Sequence, residues 1–231
     1  ADYLFACSKE AGEWLYGAEL CKKNNFYILK NAINIKQYIF NTEVRDKIRN
    51  ELHVENKFVI GHIGGFSKRK NHEFLIDIFE LLHKKDNSSA LLLVGNGELR
   101  SDIEKKVNEL GLSESVIFTG VRSDVSELLQ AMDVFVFPSL YEGLGIVTIE
   151  AQAAGLHCIV SDIIPKEAYV TNLIESVPLK AQKDVWVEKI LKYNNGYQRS
   201  NTSENIKLMG YDIYDTSQWL EKIYINLLYT Y

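Results

Sequence analysis

The chain is short of several things, and each shortage narrows what it does. Cysteine is scarce: Cys7, Cys21 and Cys158 are an odd set without the close spacing of a zinc or iron–sulfur site. They are expected as buried or semi-buried thiols of a reduced, cytoplasmic protein. No apolar run approaches the length that spans a bilayer. No signal-peptide pattern opens the chain. Positive charge is not in excess: the net charge of -5 removes the broad basic surface that nucleic acid requires. No Asp-x-Asp stands in a suitable loop, so no divalent metal is implied, and there is no repeat or low-complexity tract. What remains is an ordinary composition, 46% hydrophobic and 25% charged over 231 residues. That is enough for one large domain, or one domain and part of another. The strand-like ADYLFACS begins at Ala1 without an initiator methionine, so the chain is expected to be cut from something longer.

Strands and helices alternate. Residues 58–63 are apolar and β-branched, and Phe74, Leu75, Ile78, Leu81 and Leu82 then recur at helical spacing. Residues 90–94 form a short apolar strand, followed by a helix on Leu99, Ile103, Val107 and Leu110 that Gly111 stops. Further strands are expected at 115–119, 133–138 and 157–161. Helices are expected at 123–131, with Ser123 or Asp124 as cap, and at 146–155. Strands apolar on both faces, separated by helices, predict an α/β fold: a Rossmann-like, doubly wound parallel sheet with helices on both faces. Residues 1–40 read as a strand, a helix over about 9–19, a second strand near 27–29 and the irregular NAINIKQYIF. Residues 194–204 read as a loop, and Trp219, Ile223, Leu227 and Leu228 mark a final amphipathic helix.

Ligands of such sheets bind outside the carboxyl ends of the strands. Three loops should gather there. GGFSKRKNH (64–72) has two glycines that allow close backbone approach, and Lys68, Arg69 and Lys70 at the mouth of a helix. Taken alone it is either a diphosphate site or, more often for a charge run, a solvated basic turn. GNGELR (95–100) has the first two glycines of a dinucleotide fingerprint, with Arg100 in the third place and no acidic partner downstream. A dinucleotide is not supported; a base resting on Gly97, Glu98 and Leu99 and a plain strand-to-helix turn both stay open.

The third loop, PSLYEGLGIVTIEAQAAG (138–155), carries the most information. Glu142 follows an apolar run, and seven residues later Glu150 lies among Ile and Ala, where a carboxylate is costly unless paired. Gly143, Leu144 and Gly145 open into the next helix, a natural anion site. A glycosidase pair would need its carboxyl groups about 5–9.5 Å apart. Eight residues of continuous helix span about 12 Å, although a loop before the helix shortens that. Two holding groups around a phosphate and its hydroxyls suit the spacing better.

EGLGIVTIE resembles the E-x7-E motif of retaining GT4-family glycosyltransferases of GT-B fold. GGFSKRKNH is similar to that family's G-R-x-x-x-x-K-[GN] loop, with Lys70 at the lysine, and VGNGELR to its V-G-x-G loop. FTGVRSDVSELLQAMDVFVFPSLYEG and IEAQAAGLHCIVSD resemble two further blocks, in the same order, and the nearest flavour is the capsular or exopolysaccharide type.

The resemblance implies that the chain is mostly the C-terminal, donor-binding half of a GT-B fold. Residues 1–40 would be the remnant of an N-terminal domain plus linker, 41–205 the nucleotide-sugar domain, and 206–231 a helix crossing back. Lys70 would contact the diphosphate, Glu150 the ribose hydroxyls and Glu142 the donor sugar. The amides of Gly143, Leu144 and Gly145 would approach the sugar hydroxyls and phosphate, while Gly97, Glu98, Leu99, Val121 and Arg122 would frame the base. The implied reaction moves a sugar from a nucleoside-diphosphate donor, UDP-linked by expectation, to a glycan or lipid-linked acceptor with retention. It needs no metal or other cofactor. The acceptor would be bound by the missing N-terminal domain, so this fragment alone is expected to be inactive. Cytoplasmic location, at the inner face of the cell membrane, and peripheral membrane association of the full-length protein are the matching expectations.

The family's loop arginine is Gly65 here, and Lys68 or Arg69 is the candidate substitute. His157 stands where proline is usual and is read as structural. These departures keep two rivals open: a non-catalytic nucleotide-sugar-binding or interaction module, and a UDP-sugar epimerase.

Overall fold

The computed structural model describes residues 3–228. Its backbone divides into two compact units, one of the described residues up to 36 and from 203 onward, the other of residues 37–202.

The first unit opens with β1 (Leu4–Ala6), α1 (Lys9–Tyr16) and β2 (Phe26–Ile28). β1 and β2 pair in parallel, Leu4 opposite Phe26. α1 is capped by Ser8, whose hydroxyl accepts from the Ala11 amide, and it ends ahead of Gly17, shorter than its sequence pattern suggests. Cys7 lies exposed in the turn before that cap, contrary to the expected semi-buried thiol; Cys21 is half-buried and Cys158 buried.

The second unit contains α2 (Thr42–Glu51), β3 (Phe58–Ile63), α3 (His72–Lys85), β4 (Ser89–Val94) and α4 (Arg100–Glu109). There follow β5 (Val116–Gly120), α5 (Val125–Ala131), β6 (Val134–Phe137), α6 (Ile146–Ala153), β7 (His157–Ser161), β8 (Ile174–Val177) and α7 (Lys183–Leu191). The chain then returns to the first unit through α8 (Ser203–Leu208) and α9 (Ile213–Leu228). Trp219 of α9 packs edge-on against Phe5 and Tyr27. The side chains of Leu227 and Leu228, and the first residues of the expected opening strand, Ala1 and Asp2, lie outside the described residues.

The second unit is built on a six-stranded, all-parallel sheet of order β5-β4-β3-β6-β7-β8. Strand residues alternate between faces. Ile60, Leu91, Leu93, Val134, Val136 and Ile159 face one core, closed by Leu75, Ile78, Phe79 and Leu82 of α3, Ile103 and Val107 of α4 and Trp186 of α7. The alternate positions are buried too, among them Val59, Leu92, Phe135, Phe137 and Val160, so both faces are covered. Burying each such side chain contributes about 1.5–3 kcal/mol.

Three local readings need correction. Asp124 stands at the N-cap place of α5 without making a capping bond, because Arg122 draws its carboxylate away. β5 runs one residue later than expected, to Gly120. α2 and β8 are elements that the sequence pattern does not announce, because neither carries a strong apolar periodicity. His157 packs as a structural residue, stacked on Tyr193 with ring centroids 4.1 Å apart.

The strand order locates the site. From β3 the chain first crosses to β4 and β5 on one side, then returns to β6 and proceeds to β7 and β8 on the other. The loops leaving β3 and β6 therefore diverge at the carboxyl edge, and the crevice between them is where doubly wound sheets bind ligands.

Candidate functional site

The loop after β3 is stitched to the loop after β4. The Gly64 amide donates to Val94 O at 2.9 Å, Phe66 N to Asn96 O at 3.1 Å and Leu99 N to Phe66 O at 3.0 Å. The glycines of GNGELR serve this packing. A Cβ at Gly97 would lie 2.6 Å from Phe66 O, and one at Gly95, where φ is 135°, would lie 2.2 Å from Gly64 O. Glu98 is exposed and Leu99 half-buried at the rim.

The β3 loop is also tied to the β6 loop. Residues 68–70 make one 3₁₀ turn, Asn71 follows in the left-handed region and its amide side chain donates to Pro138 O at 3.0 Å. Leu140 N donates to Arg69 O at 2.8 Å. These bonds bring Lys70 under Glu142: Lys70 Nζ donates to Glu142 Oε1 at 2.7 Å, with the two side chains only 12% and 5% exposed. The ammonium also lies 4.5 Å from the centre of the Phe137 ring. An ammonium has three N–H groups, so one bond to Glu142 leaves donors for a phosphate. Lys68 and Arg69 remain exposed, and Gly65 faces open space, since a Cβ there meets nothing nearer than Asn96 O at 3.5 Å. The missing arginine is therefore not a matter of room.

Beneath this pair lie two histidines. His62 of β3 and His72 of α3 are buried with ring centroids 4.6 Å apart, and His72 stacks on Phe66. His62 Nδ1 bonds Val136 O at 2.9 Å. His62 Nε2 and both ring nitrogens of His72 have no hydrogen-bond partner among the described residues. Burial, and then the charge of Lys70, push His72 down to about 4. Burial likewise holds His62 well below its ordinary range, so both are neutral at pH 7 and the positive charge stays on Lys70. Neither histidine stood out in the sequence: His62 hides inside an apolar strand, and His72 reads as part of a basic loop.

Glu142 leads through exposed Gly143 and half-buried Leu144 to Gly145, the N-cap of α6. Gly145 has φ of 73°, a conformation glycine adopts without strain, and its carbonyl accepts from Thr148 N and Thr148 Oγ1 at 2.8 Å each. The positive end of α6 thus opens beside the Lys70–Glu142 pair. Glu150, on the same helix, is half-buried and accepts from the Tyr38 hydroxyl at 2.9 Å through Oε1. Burial pushes the Glu150 carboxyl above its ordinary range, and the Tyr38 bond pulls against that. Tyr38 lies in the irregular stretch NAINIKQYIF, where no periodicity marks it out.

The expected base-framing residues divide. Val121 is exposed at the rim. Arg122 is committed elsewhere: its guanidinium donates to both Asp124 oxygens, at 2.8 and 2.6 Å, and to Glu51 Oε1 at 3.1 Å. Those bonds hold it above its usual range. A cavity of about 550 Å³ beside the site includes Ser67, Lys68, Leu99, Lys106 and Leu140, and so shares Lys68 and Leu99 with the expected set. Among the described residues, no group of three or more His, Cys, Asp or Glu is arranged to hold a metal ion. No helix among them is long and apolar enough to cross a membrane.

A parallel sheet with a cation, a helix N-terminus and two carboxylates near its strand-order reversal is a Rossmann-like α/β domain of the kind that binds ligands at that edge. The chain belongs to the glycosyl transferases group 1 family, which it matches over residues 44–209. It is 32% identical over 216 residues to EpsF of Bacillus subtilis (strain 168), whose name places it among glycosyltransferases; the match covers 92% of this chain and 56% of that protein. It is 24% identical to the UDP-Gal:alpha-D-GlcNAc-diphosphoundecaprenol alpha-1,3-galactosyltransferase of Escherichia coli, covering 87% and 54%. Among solved structures it resembles Anabaena HepE in complex with UDP and glucose, at TM-score 0.77 and 20% identity over 98% of this chain and 64% of that one. It also resembles the sucrose-phosphate synthase of Thermosynechococcus elongatus, at TM-score 0.77 and 22% identity over 100% and 59%. The fold is that of these GT-B glycosyltransferases, and the chain spans little more than half the length of the curated relatives it matches.

Proposed function

We propose that residues 37–202 form the donor-binding domain of a retaining glycosyltransferase that uses a nucleoside-diphosphate sugar, with UDP as the nucleotide. The observation that carries this reading is the convergence of Lys70, Glu142 and the α6 N-terminus at the strand-order reversal. In the reaction, the bond between the anomeric carbon and the diphosphate oxygen breaks and its electron pair leaves on the phosphate. Lys70 and the α6 amides stand where that negative charge grows. The acceptor hydroxyl bonds to the anomeric carbon on the same face, and its proton passes to the departing phosphate. Glu142 orients Lys70 and the donor sugar, and Glu150 takes the ribose hydroxyls. The positive charge comes from Lys70 and the N-terminus of α6, so the reading calls on no metal.

UDP is favoured by the names of the Escherichia coli relative and of the Anabaena complex. A role in cell-surface polysaccharide synthesis is favoured by a relative named as a Vi polysaccharide biosynthesis protein, and in this reading the synthesis runs on the cytoplasmic side of the membrane. The glycan or lipid-linked acceptor would be held by sequence beyond this chain, so turnover requires the longer protein. We read the unit before residue 37 and after 202 as belonging to that acceptor side.

The test is a thermal-shift and calorimetric screen of the chain with UDP, GDP and ADP. Nucleotide at about 100 times its Kd stabilises the folded chain by about 2.7 kcal/mol. A flat response to all three, or unchanged affinity in both Lys70→Ala and Glu150→Ala, would refute the reading. A non-catalytic binding module is the second reading, favoured by Gly65 and by the neutralisation of Lys70 in its pair with Glu142. Donor hydrolysis or transfer by the longer protein rules it out.

A further inference from the structure

Tyr38 has no place in the reading above, yet its side chain ends on Glu150. The segment that carries it is held in place from three directions. Gln130, buried on α5, donates through Nε2 to Tyr38 O at 3.2 Å and accepts from Asn41 N through Oε1 at 3.2 Å. Arg199 lies over the Phe40 ring, 4.6 Å from its centre. Asn41 caps α2 by accepting from the Val44 amide at 3.1 Å. The segment 38–41 is thus fixed before any ligand arrives, and it presents the phenol to a carboxylate that lies 112 residues away in the chain.

We infer that Tyr38 is a positioning residue: its hydroxyl holds Glu150 Oε1 so that the other carboxylate oxygen is aimed at the ribose of the nucleotide. A carboxylate has two oxygens and accepts several bonds, so the phenol and a sugar hydroxyl share it without competing. A glutamate side chain otherwise has several rotamers to lose on binding, and a partner that selects one of them beforehand removes that cost. The phenol stays a donor because burial and the Glu150 charge raise it above its ordinary range. This inference rests on the donor-site reading, in which Glu150 meets the ribose.

The experiment is calorimetry on the 231-residue chain with UDP and 2′,3′-dideoxy-UDP, using wild type, Tyr38→Phe, Glu150→Ala and the double variant. Tyr38→Phe should weaken UDP about five- to tenfold and leave the dideoxy nucleotide within about twofold. In the Glu150→Ala background the same substitution should change nothing, since Tyr38 acts through Glu150. Equal losses on both nucleotides, or a loss that persists without Glu150, would give Tyr38 a merely structural role and overturn the inference. Gln130→Met is the second variant: it keeps the phenol but releases its segment, and should show the same ribose-selective loss. It keeps the inference open to refutation if Tyr38→Phe does not fold. If GDP or ADP binds in place of UDP, the series is run with that nucleotide and its dideoxy form. Failure of all three to bind overturns the donor-site reading and this inference together; binding with a non-selective loss overturns this inference alone.

Discussion

Lys70 and Glu142 meet at 2.7 Å across loops 72 residues apart, with both side chains largely out of water. Each neutralises the other, so neither is indifferent to the other's removal. Truncating one partner of a buried pair costs about 3–5 kcal/mol, because the charge left behind has no water. Lys70→Met should therefore destabilise the chain by about 3 kcal/mol in urea denaturation. Lys70→Met combined with Glu142→Leu should recover most of that loss while nucleotide binding stays absent. A double variant as unstable as the sum of the singles would mean that the pair is not coupled.

The histidine layer beneath that pair makes stability depend on pH. His72 is depressed from 6.5 to about 4, so between those values the unfolded chain binds the proton and the folded chain does not. Its contribution is fully present above about 6.5 and is lost as pH falls toward 4, by about 1.4 kcal/mol per pH unit. His62 adds a loss of the same sign. Glu150, raised by burial, acts in the opposite direction, since its protonation on acidification relieves a cost. His72→Phe keeps the stack on Phe66 and removes one titrating group. Its stability should fall less steeply over that range than wild type, as read by denaturation at a series of pH values.

The glycines around the site should behave in two ways. Gly97→Ala places a methyl 2.6 Å from Phe66 O, backbone that cannot step aside, and should cost about 2–3 kcal/mol. Gly143→Ala meets nothing within 4 Å and should leave stability within about 0.5 kcal/mol. Its effect, read by calorimetry with UDP, should fall on affinity.

Gly65→Arg should strengthen UDP binding. The position faces open space, and a guanidinium there adds charge-assisted bonds to the diphosphate, for a gain of about tenfold in affinity. Uridine, which lacks the diphosphate, should bind equally to both forms in the same calorimeter. A gain for uridine as well would point away from a phosphate contact.

The sheet and its loops were legible in the sequence because periodicity and punctuation agree there. Residues 90–94 are fully buried, as an apolar run between turns requires, and α6 follows from the glycine turn before it. α2 escaped because only Val44, Ile48 and the Asn41 cap mark it in an otherwise polar stretch. For Lys70 and Glu142 the sequence implies only a shared sheet edge. Their pairing depends on β3 and β6 being neighbours, and no local pattern states which strands adjoin. The expectation that Arg122 helps frame the base says nothing of its partners: its guanidinium is bonded to Asp124 and to Glu51, and Glu51 lies on α2, which local pattern does not announce.

The strand order also governs when the site comes into being. Lys70 meets Glu142 only once β6 has docked beside β3, and Tyr38 meets Glu150 across a still longer separation. Contacts of such range form late, after the chain has closed large loops. In the donor-site reading, a half-assembled sheet therefore has nothing with which to grip a nucleotide. Ligand binding thus reports completed folding, and during refolding it should appear no earlier than the slowest structural phase.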